Sequence, residues 1–258
     1  GADNIALGTH SLGIGAITGG CNVAIGRESG ARVSSGTENV MIGCRSATNL
    51  TSGGQNIAMG SFSMGLGVVT GCYNIAIGNH ATCRLTSGNC NVVMGDSAGL
   101  NLSTGSYNSF FGSSAGKCHC TGSFNVAVGL NAGQRMCTGS FNTLIGPEAG
   151  FYSEAANCNT FIGHQSGYCT TGDRNTFLGR RAGKCTVSGC HNVAIGDEIQ
   201  LPILDGNHQL AIGVNGGCTE GVENYWIVGN SDYNVGIGTT NPDTAVGVGN
   251  TAKLSVGI

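Results

Sequence analysis

Thirteen cysteines, six histidines and fourteen carboxylates are the groups able to do chemistry in this 258-residue chain. Cys118-His119-Cys120 sets two thiols around an imidazole, which invites a zinc reading. A structural zinc site takes four ligands in two pairs, and no second pair stands at matching distance. In extended backbone His119 would also face away from both cysteines, because successive side chains alternate faces. No metal and no cofactor is expected. A glycan-cleaving site wants two carboxylates about 5–9.5 Å apart across a groove. The acids here are scattered, and the adjacent Asp197 and Glu198 would point oppositely in a strand. No catalytic residue and no enzyme is expected. Asn49-Leu50-Thr51 and Asn101-Leu102-Ser103 are N-glycosylation sequons, which matter only in a cell that glycosylates.

These groups are carried by a repeat. Asn-x-x-apolar-Gly begins at Asn4, Asn22, Asn39, Asn56 and Asn74, and continues to Asn192, with Gln209 in phase. The step is 17 residues, with occasional 16 and 18. That is too short for a helix pair and suits one coil of a parallel β-solenoid, stacked at ~4.8 Å. Thirteen such coils would span about 60 Å. The Gly closing each string reads as a tight corner. A Thr/Ser-Gly pair such as Thr121-Gly122 reads as the opposite turn, and a small Ala/Ser column (Ser29, Ser46, Ala98) as turning inward. Composition agrees. Forty-seven glycines without a three-residue period, three prolines and 10% charged residues exclude collagen and disfavour helix. A net charge of −3 gives no drive toward nucleic acid or anionic lipid. No apolar run reaches membrane-spanning length.

Two apolar columns run along the strands. The third residue after each Asn (Leu7, Ile25, Ile42, Phe111) is expected to fill the core. The preceding column, with Phe110, Leu144, Phe161 and Phe177, must face the other way. Strands apolar on both faces are buried on both. A second face covered by other copies makes a homo-oligomer, with those four residues at the interface; a wide coil wrapping both faces is the alternative. The Asn column faces the same side as the Phe110 column and is expected to hydrogen-bond along the stack. The polar pair after each corner Gly varies: Arg27-Glu28, Asn79-His80, His164-Gln165, Arg180-Arg181. Such a column marks the solvent side and supplies the candidate binding residues.

Most cysteines fall beside the Thr/Ser-Gly turn. Cys120 and Cys137 share a column in adjacent coils, as do Cys169 and Cys185, and Cys72 and Cys90 within a residue. At ~4.8 Å between coils these pairs lie within disulfide range of their Cα atoms, and Cys185 with Cys190 could bridge one turn. Reduced cysteines acting as small apolar fillers are the alternative. The odd count leaves at least one thiol free or bonded between chains. His191 and His208 are expected to stack one coil apart.

The N-h-A-I-G repeat resembles the head repeats of trimeric autotransporter adhesins. N-T-F-L-G-R-R-A-G at Asn175 and N-T-F-I-G-H-Q-S-G at Asn159 are more similar to bacteriophage tail-fibre repeats. Trp226 to Ser231, N-V-G-I-G-T-T-N-P from Asn234 and A-K-L-S-V from Ala252 resemble the segment before the cleaved intramolecular chaperone of phage fibres. The resemblance implies an all-β, left-handed parallel β-roll in a homotrimer, on a virion or otherwise extracellular. It implies fibre or other virion proteins and a host-surface glycan or receptor as partners. Residues 1–199 are expected to form the roll, 200–233 an irregular transition and 234–258 a small β neck. The start at Gly1, without Met or signal pattern, reads as a processed product or fragment. A bacterial adhesin head is the second function, a glycan depolymerase the third. Ice binding is a fourth, disfavoured because the residues before the Thr/Ser-Gly turn are mixed.

Overall fold

Three residues per coil are extended, and they stack. The computed structural model describes residues 1–13, 16–214, 224–232, 234–237 and 254–256, with Asn224 and 254–256 as backbone only. The strands are β1 Ile5–Leu7, β2 Val23–Ile25, β3 Val40–Ile42, β4 Ile57–Met59, β5 Ile75–Ile77, β6 Val92–Met94, β7 Ser109–Phe111, β8 Val126–Val128, β9 Thr143–Ile145, β10 Thr160–Ile162, β11 Thr176–Leu178, β12 Val193–Ile195 and β13 Leu210–Val214. Each pairs in parallel with the next in strict register, so Phe110 lies between Val93 and Ala127. The chain is a parallel β-solenoid of about twelve turns, and its described residues contain no helix.

Gln209 is in phase, because β12 pairs with β13 in parallel. Beyond it the direction changes: β14 Asn224–Gly229 runs antiparallel to β13, and β15 Val235–Ile237 antiparallel to β14. β16 Leu254–Val256 pairs with β15 in parallel. Tyr225 and Val228 join the buried core at this end. Cys218 and most of the stretch expected as a neck lie outside the described residues.

The corner glycine after each strand is required by geometry. From Gly8 to Gly196 this column holds φ between +125° and +143°. A Cβ on Gly129 would lie 2.6 Å from the carbonyl carbon of Gly146 one coil on. That contact is backbone on backbone and cannot relax by a rotamer change. Gly129→Ala is therefore expected to cost at least about 2 kcal/mol, measured as a lower urea midpoint.

The face assignment of the strands is the reverse of the expected one. Phe110, Leu144, Phe161 and Phe177 are fully buried inside their own coil, with Ala24, Met41 and Ala58 of the same column. They are not an interface between chains. The Leu7–Ile25–Phe111 column faces outward: Leu7 is 65% and Phe111 36% exposed. Alternation places the two columns on opposite faces but does not say which is inside. The coil decides it. Its interior is narrow enough that Ala suits the strand column. The large members fit because Gly116, Gly167 and Gly183 lie directly beneath the rings of Phe110, Phe161 and Phe177, leaving no room for a Cβ. The Ala/Ser column is buried as expected, and Ser29 Oγ donates to Met41 O at 2.8 Å.

The Asn column lies on the same inner face and forms a continuous ladder. Asn91 Nδ2 donates to Asn74 Oδ1 at 2.9 Å and to Gly105 O at 2.9 Å. Its own Oδ1 accepts from Asn108 N at 2.9 Å. The chain of backbone donations runs from Asn22, whose N–H donates to Asn4 Oδ1, to Gln209, whose N–H donates to Asn192 Oδ1. Gln209 then reaches further than an Asn, exchanging two hydrogen bonds with Ile203 and holding the loop beside Pro202.

Candidate functional site

The outward face of the sheet carries one column that is large and apolar in every coil, with Ile25, Ile42 and Met59 among its members. The column beside it holds Val23, Val40 and Ile57 but turns to Ser109, Thr143, Thr160 and Thr176 further along. Ile145 and Leu178 are 37% and 44% exposed, and Trp226, at the register shift between β13 and β14, is 59% exposed. Beside it runs a column that the sequence reading missed, the residue before each Asn. These residues adopt left-handed backbone, among them Tyr73, Tyr107, Phe124 and Phe141. Phe124 stacks on Tyr107 at 4.9 Å and on Phe141 at 5.1 Å, within 4° of parallel. Ring faces are covered by ring faces, so this ladder offers edges outward rather than platforms for a flat ligand. The signal for it was in the repeat: three aromatics in one column at 17-residue spacing.

The polar pairs after the corner glycine do face solvent. Arg27, Asn79, His164 and Arg180 are exposed, and Glu28, His80, Gln165 and Arg181 are half-buried. Stacking brings the second members together coil to coil. Arg45 Nε donates to Glu28 at 2.7 Å, and that bond holds the Glu28 carboxyl below the usual range. Gln165 donates to Glu148 at 2.7 Å and accepts from Arg181 at 3.1 Å. His80 stacks on Phe62 at 5.2 Å, and Asn79 donates to Asp96 at 3.1 Å.

Asp197 and Glu198 do not diverge, because they occupy a corner rather than a strand. Arg180 takes Asp197 at 2.8 and 2.9 Å and Glu198 at 2.7 Å, and Arg181 takes Glu198 at 2.7 Å. Both carboxylates are thereby engaged by cations. Hydrogen bonds from Arg181, then proximity to Arg180, keep Glu198 ionised.

His119 points into the core while Cys118 and Cys120 on either side of it are half-buried. Its ring nitrogens lie 3.1 Å from Met136 O and 2.8 Å from Gly122 O, and its edge meets Phe110. Burial outweighs those two carbonyls and lowers its pKa. A His with a depressed folded pKa stabilises the fold above its unfolded pKa of ~6.5, and that contribution is lost as pH falls below it. Leu85, Leu102 and Met136 fill the same column in neighbouring coils. His119→Leu is expected to flatten the acid side of the stability–pH curve, read from urea midpoints between pH 7.5 and 5.

The three proposed cysteine pairs are not bridged. Cys72, Cys90, Cys120, Cys137 and Cys169 are free thiols, as is Cys190. Cys185 is disulfide-bonded, so its partner is neither Cys169 nor Cys190. In-register stacking translates each Cβ by the same ~4.8 Å as the Cα, beyond the ~3.5–4.5 Å that a disulfide needs. Burial, then neighbouring Cys120 and Cys118, push the Cys137 thiol up and keep it protonated. His191 and His208 stack at 4.9 Å. Asn49 of the first sequon donates to Gly65 O at 2.9 Å and Leu66 O at 3.3 Å, so its amide serves the fold.

The fold and surface define a class: a parallel β-solenoid with an internal Asn ladder and an apolar outer ridge. No protein-family model matches the chain, no curated protein matches its sequence, and no solved structure matches it.

Proposed function

We propose that the protein is a non-catalytic rod of a virion attachment fibre, assembled as a homotrimer and binding a host-surface glycan or receptor. The apolar outer ridge carries this reading. Twelve coil steps make its large apolar column about 58 Å long, flanked by Val or Ile in the coils of β1 to β6, β8 and β12. A monomer seldom leaves an apolar strip of that length in water. Copies of one repeat, side by side and in the same direction, would cover it along its whole length. Left-handed winding and a C-terminal neck over 234–258 follow from the fibre resemblance.

With the ridge inside the assembly, the corner pairs such as Asn79-His80 and His164-Gln165 remain outside and are the proposed receptor contacts. The engagement of Asp197 and Glu198 by Arg180 and Arg181 favours adhesion over glycan cleavage. The test is a density map of the native particle together with adherence of the purified protein to cells. A three-fold rod that adheres supports the reading. Turnover of host polysaccharide, or a monomer in the particle, overturns it. The same rod on a bacterial surface would be an adhesin head, distinguished by a membrane anchor in the gene.

A further inference from the structure

We propose that a groove over the coils of β2, β3 and β4 binds one acidic monosaccharide unit, a ring bearing a carboxylate and hydroxyls. The proposal rests on the attachment reading for where such a ring would come from, and on the groove itself for its chemistry. The cavity is about 240 Å3. Pockets for drug-sized ligands run about 300–1,000 Å3, so this one suits a single ring.

The repeat explains why a groove opens here. Its floor is one column, Ala31, Thr48 and Gly65, stacked in adjacent coils. From Cys83 onward the same column carries Leu100, Lys117, Gln134, Phe151 and Tyr168, whose side chains occupy the equivalent space. Gly65 holds φ +145°, and a Cβ there would meet Thr48 N at 2.8 Å. The β4 coil also carries an extra residue. It throws Leu66 and Val68 outward, 60% and 61% exposed, and raises one wall of the groove. Asn49 ties that wall down through Gly65 O and Leu66 O.

The lining has the polarity of an acidic sugar. Arg45 spends Nε and Nη2 on Glu28, leaving Nη1 as a donor. Arg32 also lines the groove, is exposed, and forms no ion pair among the described residues. Two guanidiniums against one carboxylate leave a net positive site, which suits a monoanion. A planar guanidinium takes a carboxylate through two parallel hydrogen bonds. Glu28 and the Asn49 amide oxygen can accept from ring hydroxyls, and Leu66 offers an apolar wall for the ring's C–H face. A phosphate dianion would leave Glu28 opposing it.

The test uses the whole chain with methyl glucuronide and methyl glucoside, the same ring with and without the carboxylate, by ligand-observed magnetic resonance titration. The glucuronide is expected to bind at least about tenfold more tightly than the glucoside. Arg32→Ala is expected to remove that margin without moving the melting temperature, and Arg135→Ala, an exposed arginine in the coil of β8, to leave it intact. Equal binding of the two rings, or a margin that survives Arg32→Ala, overturns the site. Glucuronide binding lost in Arg32→Ala while adherence to cells persists supports the groove and assigns attachment to another face. Failure of adherence in the unaltered protein with the margin intact counts against the attachment reading alone.

Discussion

Replacing Asn91 with alanine is expected to cost about 3–5 kcal/mol, a large share of the ~5–15 kcal/mol that holds a domain. Asn91 is fully buried. Its amide is the side-chain donor to Gly105 O, and its Oδ1 accepts from Asn108 N. Alanine leaves both backbone groups buried and unpaired, each at about 1–3 kcal/mol, and opens a small cavity. Asn91→Asp is expected to do no better. The carboxylate still accepts from Asn108 N, but it faces Gly105 O and Asn74 Oδ1 with no proton to give and is charged in the core. In a solenoid each coil touches only its neighbours, so the damage should spread over the coils of β5 to β7 and fade beyond. Hydrogen exchange at Asn108 N and at the flanking strands, with urea midpoints, measures both size and spread. The exposed Asn79, with one surface bond to Asp96, is the control; Asn79→Ala should stay within about 0.5 kcal/mol. An equally small effect at Asn91 would sink the ladder as a source of stability.

The adjacent phenylalanines of β7 separate core from seam. Phe110→Ala is expected to destabilise the protein by about 3–5 kcal/mol, because it empties the space above Gly116. Phe111→Asp combined with Val128→Asp should leave each chain folded, since both side chains already reach water. In a trimer those carboxylates would sit in an apolar seam without cations opposite. Each costs several kcal/mol to bury, so self-association should weaken a thousandfold or more. Sedimentation velocity reads this as a monomer of unchanged circular dichroism. An unchanged assembly in the double variant removes the ridge from the interface.

These two residues also show how far the sequence could be read. Their opposite orientation followed from alternation alone, but their sides were assigned the wrong way round. Size was the misleading cue. The outward column is uniformly large, and large apolar residues suggest a core. The fit that decides the faces is spatial: Gly167 and Gly183, six residues after Phe161 and Phe177, lie against those rings with no room for a Cβ. Ala24 and Ala127 also have Gly six residues on, so the sequence alone does not show which columns meet. Between bridged and reduced cysteines the Cα spacing left both open; the parallel offset of Cβ keeps Cys120 and Cys137 apart as free thiols. The groove at Gly65 left one trace, an 18-residue step, but its floor and walls belong to three different coils.

What the sequence determined by itself is everything that repeats: the parallel stack, its corner glycines, the buried small column, the Asn ladder and the in-phase Gln209. Each is a condition that every coil must meet, so the same residue type recurs at the same spacing. The tertiary structure alone decided which face is inside, which thiols stay apart and where a cavity opens. Those depend on how wide the coil closes and on which side chains it stacks into one column. Closure brings residues six, twelve and seventeen positions apart into contact at once, and only the summed volume of all of them selects the inner face.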